Sequence, residues 1–190
     1  MRLFMPDVKN LCAKIKMLIS DVDGVLTDGS VYKGSAGEEF KRFTVIDGAG
    51  AAIARAAGLN IALISGRHSE ATAIRAAEMK ITELHNGTLD KRGPYKEIKE
   101  KYNLKDDEIA YVGDDIIDIV IMKQVGVPIA VANAYKTVKD ISVYVTEKSG
   151  GQGAFREAIE WILIQQGRLE EVLTALQDEV QNPPETDPYH

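Results

Sequence analysis

Asp21 and Asp23 stand one residue apart, directly after the apolar run Met17-Leu18-Ile19 and Ser20. In an extended chain, side chains two positions apart lie on the same side, so both carboxylates can face one pocket where the strand runs out. Gly24 then permits a sharp backbone turn. Two acids that close repel each other unless a cation or a shared proton sits between them. Such a pair suits a hard, oxygen-preferring metal such as magnesium. It also suits a division of labour, with one carboxylate as nucleophile and its neighbour as acid and base. A solvated acidic turn after a buried strand would carry the same local pattern, so other parts of the chain must decide.

Two further strand ends carry matching chemistry. Ile61-Ala62-Leu63-Ile64 runs into Ser65-Gly66-Arg67, and Ile109-Ala110-Tyr111-Val112 runs into Gly113-Asp114-Asp115. Taken as parts of a phosphoryl-transfer site, Asp21 is the candidate nucleophile, forming an aspartyl-phosphate. Asp23 would protonate the leaving oxygen and later activate water. Asp114 would hold magnesium together with Asp21, and Asp23 is a further candidate metal residue. Asp115 could ligate directly, through water, or only from behind, and Asp118 is placed with it as metal-supporting. Ser65 and the amide of Gly66 can donate to phosphoryl oxygens. Lys91 opens an expected helix, a poor place for a cation next to the positive end of the helix dipole. Neutralising phosphate and carboxylate charge is a better use for it. Ser65-Gly66-Arg67 alone is a common strand-to-helix turn, and Asp90-Lys91 alone is a surface pair. Their occurrence in this order, each at a strand end, is what points to phosphoryl transfer.

The elements that would position these groups alternate. Val8, Leu11, Cys12 and Ile15 fall at helical spacing. Ser30-Val31-Tyr32 and Glu39 to Phe43 flank Gly34-Ser35-Ala36-Gly37, the pattern of a β-hairpin. A helix is expected from about Ala49 to Ala57, stopped by Gly58. Ser69 can cap a helix to about Met79. A short strand at 82–84, a helix at 91–102, a helix to about Lys123 and a strand at 127–131 follow. This alternation predicts an α/β fold: a Rossmann-like, doubly wound parallel sheet with helices on both faces and a hairpin after the first strand. Functional groups in such sheets gather beyond the carboxyl ends of the strands. Residues 154–166 read as a helix, and Leu169, Val172, Leu173, Leu176 and Val180 form an apolar stripe suited to packing or a partner. The expected organisation is one domain over 1–181, with a helical extension from about 154, and a disordered tail at 182–190.

Composition narrows the function classes. The 190 residues are 45% hydrophobic and 27% charged, with a formal net charge of -6. That is an ordinary globular balance, and its acidity argues against nucleic-acid or anionic-membrane binding. Cys12 is the single cysteine, which excludes an intramolecular disulfide and disfavours a thiolate zinc site. Residues 1–7 lack a signal-peptide apolar stretch, and no apolar run approaches membrane-spanning length. A soluble, cytoplasmic protein is expected.

Asp21-Val22-Asp23-Gly24-Val25-Leu26-Thr27-Asp28, Ser65-Gly66-Arg67, Lys91 and Gly113-Asp114-Asp115 resemble the four motifs of the haloacid dehalogenase-like phosphohydrolases. Three more features resemble the capless subgroup acting on 3-deoxy-D-manno-octulosonate 8-phosphate: Asp47-Gly48-Ala49-Gly50, Arg75, and the segment Gly150-Gly151-Gln152-Gly153 with Arg156. Asn86 departs from that subgroup, which has glutamine there, and Ile117 stands where a polar residue or proline is frequent. The resemblance implies a magnesium-dependent phosphatase for a small acidic sugar phosphate, with a nonulosonate 9-phosphate of sialic-acid type as the alternative substrate. It also implies substrate contacts from Asp47, Gly48, Gly66, Arg67, Arg75, Gly150, Gly151 and Arg156. The guanidinium groups could pair with the sugar carboxylate or with phosphate. Neither gap between the motifs holds a cap domain. The resemblance implies instead a homotetramer in which hairpins pack together and neighbouring chains shape each pocket, with residues 149–156 reaching a neighbour.

Two other classes use similar residues. A phospho-accepting receiver domain would place an adjacent acid pair after the first strand and a lone Asp on a middle strand. Here the acids alternate, and no lone Asp ends the 61–64 strand. A non-catalytic oligomeric scaffold would have no need of Asp23, which is present.

Overall fold

The computed structural model describes residues 7–181, so the expected tail at 182–190 lies outside the described residues. The order is α1 (Val8–Ala13), β1 (Met17–Ser20), a hairpin of β2 (Tyr32–Lys33) and β3 (Glu39–Phe40), α2 (Val45–Ala56), β4 (Asn60–Ser65), α3 (Glu70–Glu78) and β5 (Glu83–Asn86). It continues with α4 (Arg92–Tyr102), β6 (Ile109–Gly113), α5 (Ile119–Met122), β7 (Val127–Ala130), α6 (Lys136–Asp140), β8 (Tyr144–Val145), α7 (Ala154–Gln165) and α8 (Leu169–Gln181). Six strands form one sheet in the order β5-β4-β1-β6-β7-β8, every neighbouring pair parallel. The hairpin strands form a separate antiparallel pair. β1, β6 and β7 are buried along their whole length, as expected of parallel strands covered on both faces.

Helices α1, α2, α7 and α8 pack together on one face. Right-handed crossovers put α4, α5 and α6 on the other. Most of the apolar stripe of α8 packs within the chain: Val172 is buried, and Leu169, Leu173 and Leu176 lie against the core, while the Val180 side chain lies outside the described ones.

This order positions the site. β1 lies between β4 and β6, with Ser20 paired to Leu63 on one side and to Val112 on the other. The chain after each of these three strands therefore emerges at the same end. β1 also stands where the order of winding reverses, the place where such sheets open a crevice.

Local structure departs from the sequence-based expectation in three places. α2 starts at Val45, four residues early, because the Thr44 hydroxyl accepts from the Ile46 amide at 3.2 Å and caps it. Ser69 sits at the N-terminus of α3, but its hydroxyl makes no capping bond and is buried without a partner. α6 and β8 were not expected, and a 3-10 turn at Ile116–Asp118 precedes a short α5.

Candidate active site

Asp21 continues the ladder of β1 by one residue, its amide donating to the Val112 carbonyl at 3.0 Å. The chain then turns tightly, with the Thr27 hydroxyl accepting from the amides of Gly24 and Gly29 at 3.2 Å each. Gly24 has φ +101, and a Cβ there would lie 2.0 Å from Asp114 Oδ2. Only glycine combines that backbone with room for the Asp114 carboxylate.

Lys91 precedes α4 and is fully buried, as are Tyr111 and Asp118. Its ammonium donates to Asp21 Oδ1 at 2.5 Å, Asp118 Oδ1 at 2.6 Å and Tyr111 Oη at 3.0 Å. Tyr111 in turn donates to Asp118 Oδ1 at 2.7 Å. Asp118 Oδ2 accepts the amides of Asp114 and Asp115 at 3.0 and 3.2 Å. Both Asp118 oxygens are thus occupied, and the residue fixes the loop that carries Asp114.

Carboxylate oxygens of Asp21, Asp114 and Asp118 lie within 4.8 Å of one another. Burial, opposed by Lys91 and reinforced by Asp118, pushes the Asp21 carboxyl up to about 7. Burial, then the charges of Asp21, Asp118 and Asp115, pushes Asp114 up to about 8. Two acids resisting ionisation beside a single ammonium have room for another positive charge. An all-oxygen set suits magnesium. With Asp118 saturated, Asp21 and Asp114 are the residues that could hold it.

The Asp23 carboxylate lies outside that group of side-chain oxygens and has partners of its own. Its Oδ1 meets Lys41 Nζ at 2.6 Å, and its Oδ2 lies 3.3 Å from the Ser65 hydroxyl. Ser65, buried at the end of β4, also lies 2.8 Å from the Arg67 carbonyl. Asp115 is exposed and caps the 3-10 turn, its Oδ1 accepting from the Ile116 amide at 2.7 Å. Asp115 lies outside the carboxylate cluster.

The residues implied as substrate contacts divide. Arg67 and Gly66 stay beside Ser65. Arg67 donates to Glu39 Oε2 at 2.7 Å, and Glu39 also holds Lys33 at 2.8 Å, so the hairpin is tied to this loop. A Cβ on Gly66 would meet Leu89 and Ile117 at 3.2 and 3.3 Å, an apolar rim. Asn86 secures the neighbouring loop through the Ser69 amide and carbonyl, at 3.1 and 2.8 Å.

The others have partners within the chain. Asp47 is buried in the first turn of α2 and accepts from the Arg156 amide at 3.1 Å, capping α7 across the helix interface. Burial raises its carboxyl to about 6 against the pull of the Arg156 and Gly153 amides. Arg75 donates to the Thr44 carbonyl and to Glu78, at 2.9 Å each, and packs over Gly48. Arg156 pairs with Glu160 at 2.7 Å. Gly150 and Gly151 pack on the chain's own turn after Asp23: a Cβ on Gly150 would lie 1.7 Å from the Gly24 carbonyl oxygen, and the Gly151 amide donates to Val25 O at 2.9 Å. Residues 150 and 151 therefore brace the turn at 24–28 of their own chain.

Lys41 and Tyr111 were missed. A tyrosine in a buried strand signals a polar partner. For Lys41, alternation along β3 puts it on the side of Glu39, but nothing in the sequence says that this side faces Asp23.

The haloacid dehalogenase-like hydrolase signature matches residues 61–157. The chain is 41% identical over 165 residues to 3-deoxy-D-manno-octulosonate 8-phosphate phosphatase of Escherichia coli K12, covering 87% of this chain and 88% of that one. The chain belongs to the haloacid dehalogenase-like hydrolases. Among solved members of the family, the Yersinia pestis 3-deoxy-D-manno-octulosonate 8-phosphate phosphatase superposes with a TM-score of 0.84 at 41% identity, over 87% of this chain and 89% of that one. The Moraxella catarrhalis 3-deoxy-D-manno-octulosonate 8-phosphate phosphatase, solved with magnesium, phosphate and KDO, gives 0.86 at 34% identity, over 91% and 99%. The parallel sheet agrees with that family's fold, and only the hairpin and α2 stand between β1 and β4.

Proposed function

We propose that this chain is a magnesium-dependent phosphatase that converts 3-deoxy-D-manno-octulosonate 8-phosphate to the free sugar acid and phosphate, a step in lipopolysaccharide precursor synthesis. The observation that carries the reading is Asp21, held by Lys91 and flanked by Asp114, with the separately held Asp23 two residues on. An oxygen of the Asp21 carboxylate attacks phosphorus, and the bond to the sugar oxygen breaks as Asp23 gives that oxygen a proton. Water then attacks the aspartyl-phosphate, Asp23 takes its proton, and phosphate leaves with Asp21 restored. Lys91 orients Asp21 and offsets charge, and Ser65 with the Gly66 amide would donate to phosphoryl oxygens. Magnesium held by Asp21 and Asp114 would neutralise charge on the transferring group.

The solved Moraxella complex with KDO supports the substrate. Arg67 is the arginine beside the site and is assigned to the sugar carboxylate or phosphate. A 9-phosphate nonulosonate is the competing substrate. The assay is phosphate release from both sugar phosphates, with magnesium and with chelator. Turnover of the 8-phosphate that vanishes on chelation is the expected result, and preference for the 9-phosphate would reassign the substrate.

We further propose a single domain that assembles as a homotetramer in the cytoplasm. Tyr32 and Phe40, opposite each other in the hairpin, are 48% and 60% exposed. A two-stranded hairpin is marginal alone and gains from packing on copies of itself. Among the described residues no helix is long and apolar enough to cross a membrane.

A further inference from the structure

Lys91 serves Asp21, yet a second buried lysine stands at the same end of the sheet. Lys41 follows β3, and its side chain has no exposed surface. Its ammonium meets Asp23 Oδ1 at 2.6 Å and the hydroxyl of Thr72, buried in α3, at 3.2 Å. Burying an ammonium is costly unless it is paired, so this lysine is committed to a site rather than to solvent. A charge-assisted hydrogen bond of that length also fixes direction. The two Asp23 oxygens are consequently unequal. Oδ1 is clamped, whereas Oδ2 has only the 3.3 Å approach of Ser65.

We propose that Lys41 is a positioning residue, which turns Asp23 so that Oδ2 meets the leaving oxygen of the substrate. The inference rests on the phosphatase reading above and adds to it a residue outside the four motifs. In the step concerned, the Asp23 Oδ2–H bond breaks, the hydrogen joins the leaving oxygen, and the electrons of the breaking P–O bond stay with that oxygen. Lys41 gives up no proton. A lysine that instead met the phosphoryl group would help all phosphate esters alike, because they share that group. One that orients the acid matters most where the leaving group needs a proton.

A series of aryl and alkyl monophosphates of graded leaving-group acidity separates these roles without involving the sugar. kcat/KM is the quantity to follow, since it reports the steps through aspartyl-phosphate formation. For Lys41→Met, kcat/KM for alkyl phosphates should fall by about 10–100-fold, part of the full acid contribution. For 4-nitrophenyl phosphate it should change by less than about threefold, because that leaving group departs without a proton. Lys41→Arg keeps the charge and donors and should recover most of the loss. Thr72→Val removes only the far tether and should give the same split in smaller measure. An equal loss across the series, no loss at all, or no recovery in Lys41→Arg would overturn the proposal. If Lys41→Met does not fold, an unchanged leaving-group dependence in Thr72→Val overturns it. A wild-type chain inactive with magnesium on every monophosphate, the sugar phosphate included, would instead remove the phosphatase reading on which it rests.

Discussion

Asp21 and Asp118 share one ammonium, that of Lys91, with Asp114 beside them, and burial with mutual repulsion raises Asp21 to about 7 and Asp114 to about 8. Both lie above the ordinary carboxyl value of 3.8. Without metal, the fold therefore keeps protons that the unfolded chain has already released, and the stability these two groups contribute is lost as pH rises through 7 to 8. Magnesium needs both carboxylates ionised, so its binding expels protons and tightens over the same window. Thermal unfolding at pH 6 and pH 8.5, in chelator and in magnesium, should show a larger magnesium-induced rise in Tm at the higher pH. Asp114→Asn should abolish most of that rise. A magnesium effect independent of pH would count against this assignment. Asp21→Asn should fold, because Lys91 keeps Asp118 as a partner, yet release no phosphate, because an amide does not attack phosphorus. Normal turnover by that variant would exclude the aspartyl-phosphate route.

Among the elements, the segment at 150–153 has the clearest mechanical role. Its glycines look from the sequence like a path for a ligand, but Gly150 presses on the carbonyl of Gly24, and Gly24 makes room for Asp114. The brace, the turn and the Asp114 carboxylate are thus in series. Gly150→Ala would force a Cβ into backbone, and we expect it to cost about 1–3 kcal/mol in urea unfolding, the usual range for overpacking, and to weaken magnesium binding. Gly93 is the control: nothing lies within 4 Å of an added Cβ on this helical residue, so Gly93→Ala should stabilise by about 0.5–1 kcal/mol. A silent Gly150→Ala would show that the turn yields without consequence. The same contact explains what was legible beforehand. β1, β4 and β6 announce themselves by apolar runs that end in polar residues, and those ends carry Asp21, Ser65 and Asp114. Helix α2 hides its start because Asp47-Gly48-Ala49-Gly50 reads as a loop, whereas the fold uses Asp47 as a cap for α7 and Gly48 and Gly50 as places where Arg75 and Arg156 approach closely. Such roles belong to pairs of elements, and no local pattern contains them. Arg75 and Arg156 have partners within the chain, in Thr44, Glu78 and Glu160.

For the whole molecule, the question is what covers the site. Only the hairpin and α2 separate β1 from β4, and only α3 and β5 stand between Ser65 and Lys91. The rim is apolar, with Leu89 70% exposed and Ile117 37% exposed beside Gly66. Exposed apolar surface that borders a polar site marks contact with another molecule. The hairpin is already tied to the catalytic loops through Glu39–Arg67 and Lys41–Asp23, so whatever packs on Tyr32 and Phe40 also steadies Arg67 and Asp23. A second copy of the hairpin offers the same apolar pair, and closed symmetric assembly is the common outcome for a self-complementary patch. For the tetramer proposed above, light scattering should give a mass near four times 20.8 kDa. Tyr32→Ser with Phe40→Ser should lower that mass, and sugar-phosphate turnover should fall with it while Tm in magnesium drops only modestly, since neither residue is in the core. A monomer of full activity would separate catalysis from assembly. A smaller assembly that kept full turnover would show that the hairpin reaches Asp23 and Arg67 without help from its neighbours.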